Sequence, residues 1–398
     1  MKAKIKVYGE IDDRALAQIQ RCSAEADYAV LCADHHVGYS MPIGGAVAYK
    51  NFVSPSGVGF DIACGNKAVM TDIEAKDVDI KNVMDEIIRR ISFGIGRINN
   101  EPVDHPVLDE IAKADFTPQK KMAKLASEQL GTVGSGNHYV DLFADEQGRL
   151  WVGVHFGSRG FGHRTAMGFL ALAQKLDFDS KPKNANSMDA PPTLLDVKSE
   201  LGKDYIQAME LAGKYAYAGR DMAVSKVLEI LGAKSLYEVH NNHNFAWLEE
   251  HFGQKYWVVR KGCTPAFPRQ QSFIGSTMGS TSYIIEGVDS GDSKDSLYST
   301  IHGAGRVMSR TRAAGKRKWR HGKLVSVSRG EINFKRVKEE MRQKGIELRG
   351  GGADEAPEVY KNLNEVLNYH QNTIKILHRL KPIGVAMAGE DVYDPYKD

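Results

Sequence analysis

The feature that most constrains this chain is a set of reactive polar side chains carried on glycine and asparagine turns beside apolar, strand-like segments. Asp61 and Cys64 lie in FDIACG, His138 in GSGNHYVD, His155 in VGVHFGSRG and His243 in NNHNF. These turns, with His302, are scattered from 61 to 302, so no cut leaves the set intact on one side. One α+β domain over residues 1–398 is therefore expected, although 398 residues would allow two or three ordinary domains. Thiolate, imidazole and carboxylate are donors that hold divalent ions, three or more per ion, and Cys64 could bridge two of them. A lone histidine in an apolar segment is usually a satisfied core residue. Three of them at loop mouths, with a D-x-x-C, make coincidence a poor explanation.

A second signal is YSTIHGAGRVMSRTRAAGKRKWRHGK, residues 298–323. His302 directly precedes Gly303-Ala304-Gly305-Arg306, where uncovered backbone lets amide N–H groups approach a phosphate at a helix start. From Arg306 to Lys323 there are eight Lys or Arg and no acid. This reads as a helix-like basic run suited to polyphosphate; the plain alternative is a tight turn before a solvated basic helix. Asn137 and Asn244, beside two of the histidines, are placed to hold a phosphate or orient a ligand, though asparagine in a turn is equally ordinary. The chain has no G-x-x-x-x-G-K-[ST], no strand-bound G-x-G-x-x-G, no G-x-S-x-G and no K-x-D-G lysine nucleophile motif. For covalent activation of a phosphate, histidine is then the better candidate, since imidazole (reference pKa about 6.5) is a competent neutral nucleophile.

The rest of the chain supplies the frame. Residues 1–50 read as strand and loop, with Gly38, Pro42, Gly44 and Gly45 marking turns that place Asp34 and His36 on an exposed loop. Val83, Ile87, Ile88 and Ile91 give 78–91 the spacing of an amphipathic helix, and 201–231 is a longer Ala-, Leu- and Met-rich one. Residues 177–194 are polar and Pro-rich, an exposed loop. The C-terminal third reads as short helices between Gly-rich turns, closing on a polar tail over 388–398. A net charge of +3 does not by itself point to nucleic acid. The four cysteines lack disulfide spacing, and neither a signal peptide nor a span of about 20 apolar residues is evident, so a cytoplasmic protein is expected.

Taken in order, DHHVGYSMPIGG, GVGFDIACG, GTVGSGNH, VHFGSRGFGH, HNF, RKG, HGAGRVMSR, DEAPEVYKN and LKPIGV resemble the motifs of the RtcB-type tRNA-splicing ligases over nearly the whole chain. The resemblance implies a single compact domain with mixed sheets and surrounding helices. It also implies a Mn²⁺- and GTP-dependent enzyme that joins RNA ends bearing a 2′,3′-cyclic phosphate or 3′-phosphate to 5′-hydroxyl ends, in splicing or repair. By motif, Asp61, Cys64, His138, His155 and His243 would hold two manganese ions, with Cys64 bridging. His302 would take GMP from GTP as a phosphoramidate. Asn137, Arg159 and Arg306 would bind phosphates, with the Gly303, Ala304 and Gly305 backbone beside them. Thr277, Ser282 and Tyr360 would line the guanosine site.

Three positions depart from the family pattern. The guanine-contacting acid three residues after the metal histidine is Asp141 where the family has Glu. The Pro-Gly-Ser-Met-Gly loop is Gly275-Ser276-Thr277-Met278-Gly279. The lysine of the C-terminal V-K-G is Met387, with Lys381 or the tail as other sources of a donor. Competing expectations are a metal-dependent phosphohydrolase or cyclic phosphodiesterase without nucleotidyl transfer, and an inactive RNA-end-binding protein.

Overall fold

The computed structural model describes residues 3–320, 323–390 and 392. Its frame is two sheets. In the larger, eight-stranded one, Gln271–Ile274, Ser282–Gly287, Ile374–Gly389, Tyr139–Ala144, Arg149–Phe156, Gly65–Glu74 and Ser235–Asn242 follow one another, each antiparallel to the next. Glu347–Gly351 adds in parallel to Ile374–Gly389. The five-stranded sheet runs Lys4–Val7, Tyr28–His36, Ile43–Tyr49, Gln254–Lys261, Asn244–His251, with its first pair parallel. Mixed sheets with helices packed around them make this an α+β fold.

The chain crosses directly from one sheet to the other at a single residue. Ser235–Asn242 ends in the larger sheet, Asn244–His251 begins in the smaller, and His243 lies between them. Its amide donates to the Cys64 carbonyl at 2.9 Å, and its carbonyl accepts from the Cys263 amide at 3.1 Å. A candidate ligand is thereby held at the seam by backbone hydrogen bonds.

The two helices read from periodicity are present. Ile80–Arg90 starts at Asp79, whose carboxylate caps Asn82 N–H, and buries Val83, Met84 and Ile87. Glu200–Leu231 starts at Ser199, which caps Gly202 N–H, and stops at Gly232 in the left-handed conformation (φ 64°). Ala223, Val224 and Val227 share a core with Val152, Val154 and Phe156 of the larger sheet, while Ala208, Ala212 and Ala216 pack into the core that includes the smaller one.

Other local expectations are corrected. Within 1–50, Asp13–Cys22 is a helix, N-capped by Asp12 and burying Ala15, Ile19 and Cys22 at helical spacing. The basic run is not a helix beyond the short turn Arg310–Ala314: Arg317–Arg320 pairs antiparallel with Lys323–Ser326. Gly315 in a positive-φ conformation (80°) breaks the helix there. The C-terminal third ends in the 16-residue strand Ile374–Gly389, bulged between Pro382 and Gly384. Proline removes a ladder donor, and the bulge accommodates it. Most of 177–194 is loop, tied down at Met188, whose carbonyl accepts from Gln18 and Arg21. Of the expected tail, residues 391 and 393–398 lie outside the described residues. Among the described residues, no helix is long and apolar enough to cross a membrane.

Candidate metal and nucleotide centre

Strand ends from both sheets converge on one cavity of about 820 Å³. Gly65–Glu74 and Arg149–Phe156 pair so that Asn66 opposes His155, and Tyr139–Ala144 sets Tyr139 opposite His155 on the other side. Cys64, just before the first strand, and His138, just before the third, therefore meet His155 at one rim.

The five expected ligands form two groups of three that share Cys64: Cys64, His155 and His243, and Asp61, Cys64 and His138. Within each group the donor atoms lie within 4.8 Å of one another. Cys64 Sγ is 3.3 Å from His155 Nε2 and 3.6 Å from His138 Nε2, which in turn is 3.1 Å from Asp61 Oδ2. His155 Nδ1 lies 3.0 Å from the Asn137 carbonyl; donating there, it turns the lone pair of Nε2 toward Cys64. His138 Nδ1 and His243 Nδ1 are buried and find no protein partner among the described residues. Burial first, and then the Asp61 charge, push the Cys64 thiol well above its ordinary pKa, a direction that a bound cation would reverse. The donor set fits divalent ions. Gly157 is required here because a Cβ would collide with the Asp61 carboxylate.

His302 continues the row of rings, 4.8 Å from His243 centroid to centroid. Its orientation comes from Asp34, which was expected on an exposed loop but is fully buried in the strand Tyr28–His36. Asp34 Oδ2 accepts from His302 Nδ1 at 2.7 Å and from the His302 and Gly303 amides at 3.0 and 3.4 Å. Although burial opposes it, electrostatic attraction to His302 and these hydrogen bonds hold the Asp34 carboxyl below its usual range. Gly305 (φ 77°) packs its backbone against the Asp34 carbonyl where no Cβ would fit. The GAG turn is thus held by a strand, not by a helix start; the next helix begins only at Arg310.

The phosphate-binding candidates also reach the cavity. Arg159, itself at φ 53°, is held by Thr132 and the Gly94 carbonyl. Arg306 donates through Nη1 to the Asp354 carbonyl and Tyr360 hydroxyl and lies over the Tyr360 ring at 5.0 Å. Its Nη2 is buried with no partner among the described residues. Asn137, Gly303 and Ala304 line the same space. Asn244 is committed elsewhere, bridging the Gly262 amide and the Asp61 carbonyl.

On the far wall, neighbouring strands carry Asp141 and Met387 into the cavity. Burial keeps the Asp141 carboxyl well above the ordinary range, and its Oδ1 has no partner among the described residues. Thr277 and Tyr360 line the cavity, but Ser282 does not: it is buried, and its Oγ accepts from the Ser276 amide, bracing the 275–279 loop. Lys381 opens onto a second cavity of about 670 Å³ across that loop. Lys261, matched within RKG but given no role there, donates its ammonium to the Tyr39 and Ser56 carbonyls at the cavity wall and is drawn down by burial to a pKa of about 8.

A family model described as tRNA-splicing ligase RtcB matches residues 15–388. The chain is similar to the tRNA-splicing ligase RtcB of Archaeoglobus fulgidus, at 31% identity over 90% of this chain and 87% of that one. It is similar to that of Thermococcus kodakarensis at 29% over the same shares, and to the RNA-splicing ligase RtcB of Escherichia coli at 28% over 88% and 87%. With ordered motifs, a shared-thiol ligand cluster and a family match across nearly its whole length, this chain belongs to the RtcB family.

Proposed function

We propose that this chain is a GTP- and Mn²⁺-dependent RNA ligase that joins 2′,3′-cyclic phosphate or 3′-phosphate ends to 5′-hydroxyl ends, in RNA splicing or repair. The observation that carries this reading is the environment of His302. With Nδ1 committed to Asp34 at 2.7 Å, Nε2 is left as the basic nitrogen, in the cavity that also holds both ligand groups. Bound divalent ions would neutralise triphosphate charge and favour departure of pyrophosphate.

In this reading His302 Nε2 attacks the α-phosphorus of GTP. An N–P bond forms as the bond to pyrophosphate breaks, and the Asp34 carboxylate balances the charge the ring acquires. A 3′-phosphate oxygen of RNA then takes the guanylyl group and frees His302. The 5′-hydroxyl of the second RNA finally displaces GMP; a cyclic phosphate must first be opened by water. Arg159, Arg306 and Asn137 hold phosphates, while Asp141, Thr277 and Tyr360 hold guanosine. Ser282 acts only by bracing the loop.

The test is incubation with Mn²⁺ and GTP labelled at the α- or the γ-phosphate, followed by RNA halves with defined ends. Retention of the α-label alone on protein, then joined RNA, is expected. No retained label and no joined product would remove the proposal.

A further inference from the structure

The long helix Glu200–Leu231 places one fully buried cation beneath the ligand cluster. Arg220 Nη1 donates to the Ala63 carbonyl at 2.9 Å and to the Phe156 carbonyl at 2.7 Å, and its Nε donates to His240 Nε2 at 2.8 Å. Ala63 immediately precedes Cys64, and Phe156 immediately follows His155. One guanidinium nitrogen therefore ties the loop bearing the shared thiol to the strand end bearing one of its partner histidines.

The loop needs such a tie. Ala63 sits at φ 54°, a left-handed conformation that a residue with a Cβ adopts only where its surroundings hold it. Its amide donates to the Asn244 carbonyl at 2.7 Å, and its carbonyl is the one Arg220 takes. Arg220 is held in turn from below. Its guanidinium lies 4.7 Å over the Tyr217 ring, and His240, which accepts from Nε, has Nδ1 3.4 Å from the Asp221 carboxylate. No carboxylate forms an ion pair with Arg220 among the described residues. A guanidinium taken out of water at this cost is ordinarily matched by nearby negative charge, and the cluster of Asp61 and Cys64 lies directly above it.

We propose that Arg220 is a positioning residue that fixes the spacing between Cys64 and His155 and so sets the affinity of the cluster for divalent ions. This rests on the metal-binding reading of the cluster. Outer partners that orient ligands typically change metal affinity by about 10- to 100-fold when removed.

The test titrates the metal-free full chain with Co²⁺, reading stoichiometry and the thiolate-to-cobalt absorption that reports Cys64, beside thermal unfolding of the same metal-free samples. Arg220→Met keeps the length of the side chain and removes its donors. Arg220→Lys keeps charge but not the fork that reaches two carbonyls. Arg220→Met is expected to bind at least about tenfold more weakly than wild type, with a diminished thiolate band, and Arg220→Lys to fall between them. His240→Leu removes the Nε acceptor and the Nδ1–Asp221 contact, leaves the residues of both carbonyl bonds in place, and is the milder variant should Arg220→Met fail to fold. Native affinity and an unchanged band in Arg220→Met would overturn the inference; if that chain does not fold, the same result in both Arg220→Lys and His240→Leu would do so. A wild-type chain that bound no Co²⁺ would instead remove the metal reading on which it rests.

Discussion

Asp34 and His302, 268 positions apart in sequence, are joined twice through one oxygen: Oδ2 accepts from the ring Nδ1 at 2.7 Å and from the backbone amide at 3.0 Å. The first bond selects the tautomer, and the second fixes the turn that carries the ring. Asp34→Asn keeps an oxygen that can accept from the two amides and Nδ1, but removes the negative charge that holds the proton on Nδ1 and would balance a charged ring when the proposed nucleophile, Nε2, attacks. Where a buried aspartate plays this part for a catalytic histidine, the asparagine variant loses roughly 10⁴-fold. Adduct formation in Asp34→Asn is expected to fall by about 10³-fold or more, with Co²⁺ binding close to native. A loss below tenfold would refute the need for the Asp34 charge. His302→Ala should retain metal and form no adduct, and mass mapping of the wild-type nucleotide to a lysine would sink the assignment.

Cys64 belongs to both ligand groups, whereas Asp61, His138, His155 and His243 each belong to one. Cys64→Ser should therefore cost more bound metal than alanine at any one of the other four. Metal content and guanylylation are to be measured on the same samples. Two retained ions with normal guanylylation in Cys64→Ser would show that the thiol is not shared.

Base selection should be weaker than in a site with both a charged acid and a lysine. Met387 cannot donate, and burial raises the Asp141 pKa, favouring a neutral carboxyl that both donates and accepts. A hydrogen bond to a charged group is worth roughly 1.5–3 kcal/mol, or about 10- to 150-fold in discrimination. Guanine should still be preferred, by a margin that widens in Met387→Lys. Initial rates of His302 adduct formation with GTP and ATP decide it. Rejection of ATP by more than about a thousandfold in the wild type, unchanged in Met387→Lys, would rule the idea out. Lys381 does not rescue the contact, because it faces the second cavity.

His370 predicts an acid-sensitive fold. Its Nε2 accepts from the Ala33 amide at 3.1 Å, and burial lowers its pKa to about 4 despite the nearby Asp34 charge. The folded value lies below the unfolded one of about 6.5, so the unfolded chain binds the proton first. Stability is complete above pH 6.5 and is lost as pH falls toward 4, by on the order of 3 kcal/mol at about 1.4 kcal/mol per unit. Denaturant unfolding of the metal-free protein between pH 7 and 4.5 should show this slope, flattened in His370→Gln, which keeps an acceptor. Equal slopes in the two chains would discount it.

The cluster was legible because its residues sit in short turns whose glycines and asparagines stand out against apolar strands. Asp34 was not, because the turn signals after it suggested a loop. A buried strand with two consecutive histidines and an aspartate breaks the apolar pattern by which strands are recognised, and only the distant His302 makes that aspartate intelligible. The basic run misled for a related reason. Charge shows that a segment meets solvent or phosphate, and Arg and Lys suit a helix, but Gly315 decides against one. At Ser282 motif and geometry differ, since its hydroxyl accepts from the Ser276 amide and the residue does not line the cavity.

The strand Ile374–Gly389 lies in the middle of the larger sheet, with Ser282–Gly287 on one side and Tyr139–Ala144 on the other. During synthesis it leaves the ribosome after every other strand of this sheet. Until then the sheet exists only as two halves, each with an open edge, and the wall bearing Asp141 lacks its neighbour Met387. Such late, long-range pairing slows folding and leaves unpaired edges available to other chains. The cavity wall that carries Asp141 would therefore be completed only once residues 374–389 have been made, however early its other strands emerge.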